Sequence, residues 1–242
     1  MSKISGQDFQ DTFREYINEK RFAELAKLIE TAQTKPADFI VRMGFKNYMD
    51  ESQGKRVKLF YIMKLKEITG VKPDKNIIKQ ACEMTLKMDT PETLEALIKR
   101  IEIEKEVFKE LLSVIQKTYA DYVAEGKFID ISKLMELTDT RPEEDTIHKG
   151  YESYLEEGKF ISFAGLKKRT GVKPNSVMIQ DMYRKYYFNF VRYKKISTEQ
   201  SLDWMDRMRK LRKLSRIDPP EGIIIEEEPV QEMPAAEENP QE

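Results

Sequence analysis

The chain has one cysteine and one histidine in 242 residues. A lone Cys82 excludes an internal disulfide. A lone His148 excludes every paired-histidine or Cys/His metal motif. Glycine and proline are scarce, at ten each, and no G-x-G-x-x-G or G-x-x-x-x-G-K-[ST] stretch is present, which argues against a glycine-built phosphate cradle. There is no G-x-S-x-G elbow, and any Ser-His-Asp arrangement would have to recruit His148. No run of eighteen apolar residues occurs, so no transmembrane helix is expected. The opening MSKISGQDFQDTF lacks the basic-then-apolar pattern of a secretory leader. With no cysteine pair to oxidise, the expected setting is intracellular, a soluble cytoplasmic protein. No catalytic, cofactor-binding or metal-binding residue can be named, and the expectation is a protein that is not an enzyme and carries no cofactor.

What is present is charge and helix-forming residues: 35% charged, 40% hydrophobic. The net charge of −1 averages two opposed regions. Residues 164–217 hold 15 Lys/Arg against 4 Asp/Glu, whereas residues 218–242 hold 9 Asp/Glu and no Lys or Arg.

The dominant pattern is a signature repeated six times: an apolar residue, an aromatic four later, and a tyrosine three after that. It reads Phe9/Phe13/Tyr16, Val41/Phe45/Tyr48, Ile78/Cys82/Thr85, Ile115/Tyr119/Tyr122, Ile147/Tyr151/Tyr154 and Ile179/Tyr183/Tyr186, and only the third copy lacks its aromatics. The copies are 32, 37, 37, 32 and 32 residues apart, a period that signals stacked supersecondary units. Offsets of four and three put each trio on one helix face. The rings are read as core filling, at roughly 1.5–3 kcal/mol each.

A second set tracks the first. Phe22, Phe128 and Phe160 each lie six residues after a signature tyrosine, with apolar residues three and six further on, and each precedes a proline (Pro36, Pro142, Pro174) by fourteen. Gly126 and Gly158 punctuate helix from helix. Each unit therefore reads as helix A, a turn, helix B, and a loop whose proline opens the next unit. Asn175 is placed to cap one helix, Thr90 another ahead of Pro91, and Ser197-Thr198-Glu199-Gln200 forms a capping box for a final helix. Over residues 92–124 the pattern leaves open one continuous helix or a break near Glu104–Glu106.

Gly70-Val71-Lys72-Pro73-Asp74 and Gly171-Val172-Lys173-Pro174-Asn175, with a tyrosine twelve residues after a proline and a glycine four later (Tyr154 and Gly158 after Pro142), resemble the pentatricopeptide repeat. The tetratricopeptide repeat is a comparable relative in architecture, without its small-residue pattern. The resemblance covers about residues 8–190, and it implies an α-solenoid used as a binding surface. The better copies are 32 residues, about three short of that repeat, and lack its regular base-reading polar positions, so its RNA code is not carried over.

The fold expected is all-α: an α-solenoid of about six degenerate helix-turn-helix repeats over 1–196, a basic capping helix over 197–217, and an acidic, disordered tail over 218–242. The candidate binding residues are the cations of the basic segment: Lys167, Lys168 and Arg169, then Arg184, Lys185, Arg192, Lys194 and Lys195 among aromatics, then Arg207, Arg209, Lys210, Arg212, Lys213 and Arg216 on the last helix beside Trp204. Aromatics among cations suit single-stranded nucleic acid, but Tyr183 and Tyr186 already have core duties. The last helix reads as a solenoid cap, a helix that docks on a protein, or a nucleic-acid or anionic-membrane binder. The acidic tail reads as a solvating terminus, as a partner motif at Ile223-Ile224-Ile225, or as a mask over the basic helix. Cys82 fills an aromatic slot and reads as core. The function expected is a non-catalytic protein-binding scaffold or adaptor in a larger assembly. The alternative is an RNA-binding protein using residues 164–216.

Overall fold

The computed structural model describes residues 6–51, 53–88 and 90–225, which contain thirteen α-helices and no strand. Residues 226–242, where most of the acidic tail falls, lie outside the described residues. The chain forms two compact units, 1–146 and 147–242.

In the first unit, α1 (Gly6–Asn18) pairs with α2 (Phe22–Ala32), α3 (Asp38–Asp50) with α4 (Lys55–Thr69), α5 (Lys75–Leu86) with α6 (Pro91–Ile101), and α8 (Leu112–Glu125) with α9 (Phe128–Thr138). The one-turn α7 (Glu106–Lys109) precedes α8. Each signature trio lies on the first helix of its pair, and those helices pack in series, α1 on α3, α3 on α5, α5 on α8. The chain over 92–124 is broken, because Glu102 adopts φ 61 and ends α6. Glu102 is one of a series. The second helices α2, α4, α6 and α9 all end on a left-handed residue, Gln33, Gly70, Glu102 and Asp139. This conformation turns the chain out of the helix while the cap N–H still reaches a carbonyl of the last turn.

Hydrogen bonds repeat with the sequence. Tyr48 donates its hydroxyl to the Ile17 carbonyl, 2.8 Å away at the end of α1. Its ring sits 6.1 Å from Phe22 and 5.3 Å from Tyr61. Tyr119 donates to the Thr140 carbonyl at 3.1 Å, two residues before Pro142. Gln116 donates to the Arg141 carbonyl at 2.8 Å and accepts from the Glu143 N–H at 3.0 Å. Gln10, at the same register in the first copy, accepts from the Ala37 N–H at 3.0 Å. These side chains hold the proline loop against helix A by pairing several of the loop's backbone groups.

Two expectations are corrected. The prolines do not occupy the first helical turn except at Pro91. Pro36 and Pro73 sit one residue ahead of the N-cap, buried in extended linkers. Thr90 makes no side-chain cap bond; its hydroxyl pairs with that of Thr93 at 3.0 Å instead. Tyr16 also differs from its counterparts. It is half-buried, with the Arg21 guanidinium 4.4 Å over its ring. Cys82 is fully buried, and that burial pushes its thiol up to about 12, as befits a core residue.

The second unit holds α10 (Glu144–Glu156, which starts at the boundary), α11 (Phe160–Thr170), α12 (Ser176–Lys194) and α13 (Thr198–Ser215). The same bonds recur. Tyr186 donates to the Leu155 carbonyl, the same 31-residue step back as Tyr48 to Ile17. Tyr151 donates to the Val172 carbonyl at 2.7 Å, and His148 lies 3.2 Å from the Lys173 carbonyl. A carbonyl only accepts, so Nε2 of His148 carries the proton, and this lone histidine fills the place of Gln116. Asn175 caps α12 through the Val177 N–H at 2.8 Å, and Ser197 caps α13 through the Gln200 N–H at 3.3 Å.

Candidate functional site

The last helical pair is longer than the others, and its hydrogen bonds show by how much. Tyr151 reaches a carbonyl 21 residues ahead, at Val172. Its counterpart Tyr183 reaches one 34 residues ahead, Ile217, at 2.8 Å. Gln180, the counterpart of His148, donates to the Asp218 carbonyl at 2.9 Å. Both acceptors again lie just before a proline, Pro219. The α12/α13 pair is therefore a standard pair carrying thirteen extra residues at its tip. That is six or seven residues on each arm, about 10 Å of added height at 1.5 Å per residue. With this offset Met208 and Leu211 take the places of Phe163 and Leu166, and all four are buried.

The tip and its flanks carry apolar side chains that the fold does not use. Phe188 is 67% exposed, Ile196 71%, Leu202 59% and Val191 45%. A shallow depression beside them is lined by Tyr193, Glu199, Gln200, Asp203 and Trp204.

The predicted cations divide into engaged and open groups. Lys167 donates to the Leu214 carbonyl at 2.7 Å, and its ammonium pKa is lowered by burial and by the nearby Arg216 and Lys173 charges. Arg184 pairs with Asp181 at 2.6 Å and Lys185 with Glu156 at 2.7 Å. Arg207 pairs with Asp203 at 3.0 Å and stacks 4.6 Å over Trp204, whose other neighbour is Tyr186 at 5.6 Å. Lys210 pairs with Asp206 at 2.5 Å and lies 5.9 Å over Phe160. Arg212 pairs with Asp218 at 3.1 Å, so the start of the acidic segment is tied to α13. Arg192 and Lys194 lie over the rings of Tyr193 and Phe190. Arg209 is half-buried on α13. Lys168, Arg169, Lys195, Lys213 and Arg216 are exposed. Arg216 has φ 60 and ends α13 as Gly171 ends α11. Tyr183 and Tyr186 are buried and bonded, so neither offers a face for stacking.

The charge pattern singles out the cations but not Val191, Ile196 and Leu202, and Phe188 is one of the aromatics interleaved with those cations. A signal existed for Phe188. Its register, two after the signature tyrosine, is held elsewhere by Asn18, Asp50, Lys87, Ala124 and Glu156, none of them aromatic.

Among the described residues no group of three or more His, Cys, Asp or Glu side chains is arranged to hold a metal ion. No described helix is long and apolar enough to cross a membrane. The chain matches no family model, no curated protein and no solved structure.

Proposed function

We propose that this protein is a non-catalytic scaffold or adaptor, a cytoplasmic subunit of a larger assembly that binds other proteins through its helical pairs. On this reading the pairs belong to the broad class of helical-hairpin repeats that the pentatricopeptide and tetratricopeptide repeats exemplify. The observation that carries it is the last pair. Its thirteen extra residues include the exposed Val191, Ile196 and Leu202, and Phe188 is exposed just below them on α12; exposed apolar side chains among charges are a usual mark of a protein-binding surface.

A second reading, RNA binding through residues 164–216, draws on the exposed Lys168, Arg169, Lys195 and Lys213. Against it stands the internal pairing of Arg184, Lys185, Arg207, Lys210 and Arg212. Affinity purification of the full chain, with and without nuclease and at raised salt, separates the two. The scaffold reading expects a stoichiometric polypeptide retained through both treatments. Recovery of RNA alone, lost on nuclease treatment or with a steep salt dependence, overturns it in favour of the second.

A further inference from the structure

Two lysines at the end of α4 have counterparts at the end of α11. Both helices stop on a left-handed glycine, Gly70 and Gly171, each at φ 71. Aligned on those caps, Lys66 matches Lys167, and Thr69-Gly70-Val71-Lys72-Pro73 matches Thr170-Gly171-Val172-Lys173-Pro174. The hydroxyls agree: Thr69 donates to the Leu65 carbonyl at 2.7 Å, and Thr170 to the Leu166 carbonyl at 2.9 Å. Each helix packs on the second helix of the next pair, α4 on α6 and α11 on α13. Those neighbours also stop on equivalent residues, Glu102 at φ 61 and Arg216 at φ 60.

In the first unit this corner is charge-balanced. The Lys66 ammonium lies 2.6 Å from one Glu102 carboxylate oxygen, and the Lys72 ammonium 3.3 Å from the other. Together they hold the Glu102 carboxyl below its ordinary pKa. The next loop repeats the theme, with Lys105 facing the acidic cap of α9, Asp139, at 3.9 Å. In the second unit both lysines remain, but a guanidinium stands where the carboxylate was. Lys167 turns its ammonium to the Leu214 carbonyl, 2.7 Å away in the last turn of α13. Burial, then the charges of Arg216 and Lys173, lower the pKa of Lys167, so the three cations stand close enough to repel. Among the described residues none of the three pairs with a carboxylate. Asp218, the nearest acid in sequence, is held by Arg212 at 3.1 Å.

The missing charge selects the ligand. A single carboxylate would leave two of the three positive charges unbalanced. A phosphate monoester carries close to two negative charges and three acceptor oxygens, one for each cation, and Arg216 can engage it through two parallel N–H bonds. We propose that Lys167, Lys173 and Arg216 form a binding site for a phosphate monoester, whose oxygens take the place that the Glu102 carboxylate takes in the first unit. The site stands independently of the scaffold reading. It also differs from an RNA-backbone contact, because a phosphodiester carries only one negative charge.

The test is an amide chemical-shift titration of the full chain at constant ionic strength. The probes are inorganic phosphate, a phosphoserine peptide, the same peptide with glutamate at that position, and dimethyl phosphate. Inorganic phosphate and the phosphoserine peptide are expected to give saturable shifts at Gly171, Lys173 and Arg216, and none at Gly70, Lys72 and Glu102. Tighter binding of the peptide assigns a phosphorylated polypeptide as the source, and tighter binding of inorganic phosphate a small molecule. Arg216→Glu supplies the carboxylate that Glu102 supplies in the first unit, at a backbone conformation glutamate already adopts there. It is expected to lower phosphate affinity at least about tenfold with circular dichroism unchanged. The reciprocal Glu102→Arg is expected to create a second site, seen as new shifts at Gly70 and Lys72. Lack of saturable shifts at the first three residues overturns the proposal, as does unchanged affinity of the Arg216→Glu chain. So does equal binding of dimethyl phosphate or of the glutamate peptide, and so does a folded Glu102→Arg chain without the second site. Phosphate binding that appears only after residues 226–242 are removed overturns it too, because the chain's own carboxylates are then the occupant.

Discussion

Replacing Tyr151 by phenylalanine is expected to change sign in its effect as pH rises. Near neutral pH the variant loses the hydroxyl bond to the Val172 carbonyl, a cost of about 1 kcal/mol. Burial pushes the Tyr151 phenol up to about 12, whereas in the unfolded chain it ionises near its ordinary value of about 10. The folded state thus holds the proton more tightly. The stability this carries is complete below about pH 10 and is lost as pH climbs to about 12. Two pKa units amount to about 3 kcal/mol. Phenylalanine has no proton to lose, so the curves of the two proteins are expected to cross at about pH 11, with the variant the more stable beyond. Burial also raises Tyr183 and Tyr186 to about 12. Together the three stand to lose about 8 kcal/mol, within the range of a whole domain's stability. Cooperative alkaline unfolding is therefore expected between about pH 10 and 12. Urea titrations at stepped pH, followed by far-UV circular dichroism and tyrosinate absorbance, measure both effects. A gap between the two proteins that stays constant with pH, or full tyrosinate absorbance near the ordinary phenol value with helix intact, would refute the reasoning.

Three further outcomes are expected. Gln33→Gly should stabilise the chain by about 1 kcal/mol in urea unfolding, because Gln33 ends α2 at φ 48, where only glycine avoids the Cβ penalty. Gly44→Val should destabilise it by about 2 kcal/mol or more by the same measurement, since even its Cβ meets Ile17 at 2.7 Å and Leu65 at 3.0 Å. Excising residues 190–202 with Asp203→Gly should leave a cooperative, helical protein, because this restores the turn register of Glu157-Gly158-Lys159 between α12 and α13; loss of cooperative melting would refute the assigned offset.

The helices were legible because each signature places large side chains at one face with the 3.6-residue period, and burial then has only one solution. The first helix of every pair carries its trio, including the aromatic-poor copy at Cys82 and Thr85. A break near Glu104–Glu106 was one of two alternatives the pattern left open; its place at Glu102 was not legible, since a left-handed glutamate leaves no mark in composition, and it is flanked by the buried Ile101 and Ile103. The offset of the last pair was in reach. Met205, Met208 and Leu211 repeat the three-residue step of Phe160, Phe163 and Leu166. The basic segment was visible as a count of charges. Which cations are consumed by Asp181, Glu156, Asp203, Asp206 and Asp218 depends on tertiary neighbours, and so does the exposure of Phe188.

A stem that lengthens only at its tip keeps its lower residues facing as before, because residues below the insertion keep their own helical register. Tyr183 still meets the carbonyl ahead of its proline although thirteen residues were spliced in above it. The base and the crown of this hairpin are thus mechanically separate. A sequence change at the crown alters what the surface offers without re-registering the base, and a reporter or epitope could be grafted there on the same grounds.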